Sequence, residues 1–191
     1  MYSGATTETF PVVVPANKGG CMYEWQKYEV QIKRVDSGSK PLQITQPDDV
    51  LAVFGEHAKE RDQESFWVLA LDHKNQCIGI QELYRGTTNG AAIRNAEVFR
   101  LPILTQAACL VVVHNHPSGQ TEPSDEDIAL TESIFTCAVQ LDIDFLDHVI
   151  VTGDEALSLR RHLATKDYTI WHNESHMAGA RELIEKAGLL V

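Results

Sequence analysis

Val113-His114-Asn115-His116-Pro117-Ser118-Gly119-Gln120-Thr121-Glu122-Pro123-Ser124-Asp125-Glu126-Asp127 is the stretch on which the fold and the chemistry of this sequence turn. It follows a short apolar run, Cys109 to Val113, that reads as a central strand. Side chains two apart on a strand share a face, so His114 and His116 can converge. Pro117 and Gly119 turn the chain. Ser124 then opens a helix that runs to about Leu141, with Asp127 one turn in. A strand end and the helix after it can thus bring two imidazoles and a carboxylate to one point. Three protein ligands with one open position is the pattern of a catalytic zinc site, and the same donors accept iron, nickel or cobalt. A second interpretation uses the same residues. His-x-His can decorate a strand end, and Ser124-x-x-Asp127 matches a helix capping box.

Outward from this stretch, strands and helices interleave. Pro47 to Arg61 reads as a helix, with Pro47, Asp48 and Asp49 suited to its first turn and Val50, Leu51, Phe54 and Ala58 on one apolar stripe. Ser65 to Asp72 reads as a buried strand, His73–Gln76 as a turn, and Cys77 to Leu83 as its hairpin partner. Asn95 to Ala108 has helical spacing that Pro102 must kink or stop. Asp144 to Thr152 reads as another strand, and the alternation in Tyr28 to Val35 as a half-buried one. The closing stretch reads as one or two short helices, the last from about Ala178 to Ala187. The class is α/β or α+β. The division expected is an N-terminal extension (1–45), a central domain (46–155) and a C-terminal helical tail (156–191).

Composition limits the function. The chain has 191 residues, 43% hydrophobic and 23% charged, enough for a core without staples. Sixteen basic side chains against 27 acidic ones give a net charge of −11. No basic patch is visible, which makes direct nucleic-acid binding a poor expectation. The four cysteines, Cys21, Cys77, Cys109 and Cys137, form no CxxC pair and no disulfide framework. No apolar run approaches 18 residues, and the first ten residues lack the features of a secretory signal. A cytoplasmic protein without membrane contact is expected.

The motif His-x-His, seven residues, Ser, two residues, Asp resembles the signature of the JAB/MPN (JAMM) zinc metallopeptidases, and His114, His116, Ser124 and Asp127 fit it without a gap. The fuller string His114-Asn115-His116-Pro117-Ser118-Gly119 resembles the RadC branch of that superfamily. So do Glu64–Asp72, Arg85-Gly86-Thr87, Ala96–Phe99 and Leu146–Val151. The likeness covers roughly residues 45–155. Members often carry a helix-hairpin-helix domain, and none is visible here. The resemblance implies a cytidine-deaminase-like mixed sheet flanked by helices. It implies one zinc ion per chain held by His114, His116 and Asp127, and hydrolysis of a peptide or isopeptide amide bond in a protein or peptide substrate. Glu64 takes the place of the general base, with Glu97 and then Glu82 as competitors. Ser124 is expected to help hold the oxyanion. Two other functions stay open: a DNA-repair or recombination accessory protein, and a metal-bound scaffold without catalysis. A homodimer is compatible with the sequence.

Among the other histidines, His148 is expected to make a supporting hydrogen bond rather than to ligate. His172 and His176 fail the zincin pattern, and His57, His73 and His162 read as surface residues. Asn115 should face away from the two histidines beside it.

Overall fold

The computed structural model describes residues 41–86 and 93–165, and the backbone of two short strands, β1 (Thr7–Thr9) and β2 (Gln31–Lys33). These two strands pair antiparallel, Thr7 opposite Lys33, within a unit of residues 1–40. The rest of the strand read over Tyr28 to Val35, the helix read near 178–187, and His172 and His176 lie outside the described residues.

The second unit runs α1 (Pro47–Lys59), β3 (Ser65–Leu71), β4 (Cys77–Arg85), α2 (Asn95–Val98), α3 (Arg100–Leu104), β5 (Cys109–Asn115), α4 (Asp125–Gln140), β6 (Asp144–Val151), β7 (Ala156–Ser158) and α5 (Leu159–Ala164). One mixed sheet has the order β4-β3-β5-β6-β7, with β5 and β6 parallel and the other neighbours antiparallel. Helices cover both faces, as the resemblance implies. The parallel pair is joined through α4, as a parallel connection requires.

Strand alternation distributes the core. Phe66, Val68, Leu110, Val112 and Ile150 face one layer with Val98, Phe99, Ile134, Ala138, Leu159 and Leu163. Trp67, Leu69, Leu71, Val111, Val113, Val149 and Val151 face the other with Val50, Phe54 and Ala58 of α1. Strands β3 and β5 are buried along their whole length, the pattern of central strands sandwiched between helices. The alternation also decides where the polar ends of β5 go. His114 continues the Leu110–Val112 face toward α4, and Asn115 continues the Val111–Val113 face toward α1.

Two local differences from expectation have physical reasons. The helix expected over Asn95 to Ala108 breaks at Phe99, three residues before Pro102. Proline has no N–H for the carbonyl four residues earlier and its ring crowds that carbonyl, here Val98. The helical tail expected from residue 156 opens instead with a strand. Val149 to Val151 offer the outer edge of β6, and Ala156 to Ser158 pair with it. Helix α5 follows and buries Leu159 and Leu163.

Candidate metal centre

Helix α4 begins at a complete capping box. The Ser124 hydroxyl accepts from the Asp127 amide at 3.1 Å, and the Asp127 carboxylate accepts from the Ser124 amide at 2.8 Å. The Ser124 hydroxyl also donates to Asp127 Oδ2 at 2.6 Å. The cap therefore fixes the carboxylate as well as the helix end, so the capping interpretation leaves Asp127 placed where a metal ligand would be. Before it, Pro117 and Ser118 form a turn closed by Gly119 N–H donating to the His116 carbonyl at 3.1 Å. Gly119 has φ +76°, a conformation that favours glycine.

This local folding brings His114, His116 and Asp127 together; one ligand atom from each lies within 4.8 Å of the others. The Nε2 atoms of His114 and His116 are 2.9 Å apart. Asp127 Oδ1 is 3.2 Å from the first and Oδ2 is 3.6 Å from the second. His114 is 1% exposed, whereas the His116 side chain is 18% exposed, so the centre opens to solvent on the His116 side.

The partners behind the imidazoles decide which nitrogens face the centre. His116 Nδ1 lies 2.7 Å from the Gln120 carbonyl, which can only accept, so Nδ1 carries a proton. Thr131 donates its hydroxyl to the Asp127 carbonyl at 2.6 Å. It must then accept from His148 Nδ1, 2.7 Å away. Burial, and next the neighbouring His114, hold the His148 pKa well below its ordinary value, so His148 is neutral and its Nε2 is an acceptor. His114 Nδ1 donates to it at 2.8 Å. Both histidines thus turn Nε2 toward one point beside a carboxylate. Two ring nitrogens 2.9 Å apart repel unless a proton or a metal ion lies between them, and two imidazoles with a carboxylate form a donor set for a divalent metal. These residues could hold a metal ion.

The charges follow the same logic. Burial pushes the Asp127 carboxyl upward, but hydrogen bonds from His114, His116 and Ser124 outweigh it and hold the group well below the usual carboxylate range. The hydrogen bond to Asp127 raises the His116 pKa, against its burial. Glu64 adds to this rise from outside the triad.

Of the three candidate bases, Glu82 is held by Arg61 at 2.6 Å, and Glu97 of α2 pairs at 4.0 Å with Arg100, the first residue of α3. Glu64 immediately precedes β3. Two residues on, Phe66 pairs in register with His114, so strand alternation directs Glu64 to the face that carries His114. Ser124 lies beside the centre with its hydroxyl proton committed to Asp127. His148 makes the supporting bond expected of it. His162 is less exposed than a surface residue, with Nε2 3.9 Å from Glu122. Thr131 and Gln120 escaped the sequence reading. Thr131 had a usable signal, one helical turn after Asp127; the Gln120 carbonyl had none, because any residue supplies a carbonyl.

The comparisons fit this geometry. A family model described as RadC-like JAB domain matches residues 44–164. A UPF0758 protein of Roseiflexus castenholzii is 38% identical over 124 residues, 65% of this chain and 53% of that protein. One of Staphylococcus epidermidis is 39% identical over 129 residues, 66% of this chain and 57% of that protein. The chain spans about half the length of the curated relatives it matches. With that match running over most of its length, from just before α1 to the end of α5, the chain belongs to the RadC-like JAB domain family.

Proposed function

We infer that this protein is a zinc-dependent hydrolase of peptide or isopeptide amide bonds. The observation that carries this is the convergence of two imidazole Nε2 atoms with the Asp127 carboxylate, Nδ1 of each ring being engaged from behind. His114, His116 and Asp127 would hold one zinc. When bound, zinc polarises a carbonyl and makes hydroxide available from water near neutral pH. Glu64 takes a proton on its carboxylate and passes it to the departing amine. Ser124 steadies Asp127 and is the hydroxyl beside the centre for a developing oxyanion; to donate there it must release Oδ2. The exposed side of His116 is the approach for an extended protein segment. A DNA-repair role gains no residue from this geometry, and the net charge of −11 opposes a grip on phosphates.

The test is elemental analysis of purified protein with His116→Ala and Asp127→Ala alongside. About one zinc per wild-type chain is expected, lost in both variants. Glu64→Gln should retain the zinc and lose hydrolysis of a peptide library. A wild type that takes up no zinc after reconstitution ends the hydrolase reading.

A further inference from the structure

Asn115 sits between the two histidines, is completely buried, and points away from them. Its partners are the peptide groups on either side of Glu64. Oδ1 accepts from the Ser65 amide at 2.8 Å, and Nδ2 donates to the Gln63 carbonyl at 3.2 Å. Pairing between β3 and β5 ends at Phe66 opposite His114. Beyond that pair, the Asn115 side chain takes over the ladder. It offers one donor and one acceptor to the flanking groups of Glu64, as a neighbouring strand would. On the other side, the Glu64 carbonyl accepts from Gly86 N–H at 3.0 Å. Arg61 braces the Ser65 hydroxyl at 2.6 Å. Glu64 would otherwise belong to the polar loop 61–64, where a carboxylate has no fixed place.

We propose that Asn115 is a positioning residue that holds the Glu64 backbone in extended form and so fixes the general base against the metal centre. The amide is required chemically. Aspartate has no donor for the Gln63 carbonyl, and alanine leaves both peptide groups unpaired. One residue of β5 thereby couples ligand and base: His114 and His116 hold the metal from one face while Asn115 sets Glu64 from the other. This rests on the hydrolase reading above.

The first measurement needs no variant. In the wild-type protein the Ser65 amide should exchange slowly with deuterium, although it lies beyond the last β3–β5 backbone pair. Fast exchange at Ser65 overturns the proposal. The second measurement loads wild type, Glu64→Gln, Asn115→Ala and the double variant with cobalt(II) and follows the visible absorption against pH. The ion's bands respond to ionisations around it. Glu64→Gln should move the midpoint by about one pH unit, the size of one close charge interaction. Asn115→Ala should keep one cobalt per chain and move the midpoint in the same sense. The double variant should move it no further than Glu64→Gln alone. A shift in Glu64→Gln that Asn115→Ala does not share, or full additivity in the double variant, overturns the positioning role. A Glu64→Gln profile equal to wild type removes Glu64 as the base and the positioning role with it, a result distinct from the other two.

Discussion

His148 acts on the candidate metal centre at one remove, through the proton it receives from His114 and the one it gives to Thr131. The chain of donors runs His114, His148, Thr131, Asp127 carbonyl, and so returns to the helix that carries the third ligand. Removing the Thr131 hydroxyl with Thr131→Val leaves His148 Nδ1–H without its acceptor and lets the neutral ring change tautomer. The expected result is a loss of metal affinity of about 10-fold or more, read by competition against a chelator. The candidate ligands were legible as residues, because His-x-His at a strand end and Ser-x-x-Asp at a helix start are local patterns. The supporting bonds were only partly so. His148 could be suspected from its place in the Leu-Asp-His-Val strand. Its partner could not, since nothing local says that the parallel neighbour of Val112 is His148.

At the scale of elements, β7 and α5 are tied to β6 by Asp147. Its carboxylate accepts from the Arg160 amide at 3.1 Å, and the hydroxyl of Ser158, the residue that caps α5, bonds to it as well. Burial dominates these bonds and pushes the Asp147 pKa up to about 6. The unfolded chain releases this proton near pH 4, the folded one near pH 6. Between those values the folded state binds more protons, so stability falls as pH rises. The contribution is complete below about pH 4 and lost as pH passes 6. Asp147→Asn should cancel it, on the order of 2–3 kcal/mol of difference between wild type and variant across that window, measured by urea unfolding from pH 4.5 to 7.5. Most elements were legible in the sequence, because β3 and β5 are apolar runs, β6 ends in one, and α1 and α4 carry helix-start signals. Strand β7 was not. Three residues, Ala156 to Ser158, have no periodicity to read, and only the free edge of β6 makes them a strand.

For the whole molecule, the metal binding proposed above would be linked to folding stability. The centre joins β5 to α4, two of the elements around the larger core, so zinc that binds only the folded chain should stabilise it by about 2.7 kcal/mol at 100 times Kd. A calorimetric scan should show a rise in Tm of several degrees with zinc, and none for His116→Ala. The sheet order itself was not legible. Alternating strands and helices give the class, but the antiparallel placing of β3 against β5 and the parallel placing of β6 depend on contacts tens of residues apart. That contrast bears on how the centre is assembled during synthesis. All three candidate ligands fall within residues 114–127, whereas Glu64, just before β3, and His148, on β6, come from distant parts of the chain. A ribosome that has released residue 127 has already delivered every donor, while β6 is still unmade. The end of β5 and the capped start of α4 can therefore take shape first, and the centre is completed only when β6 brings His148 behind His114.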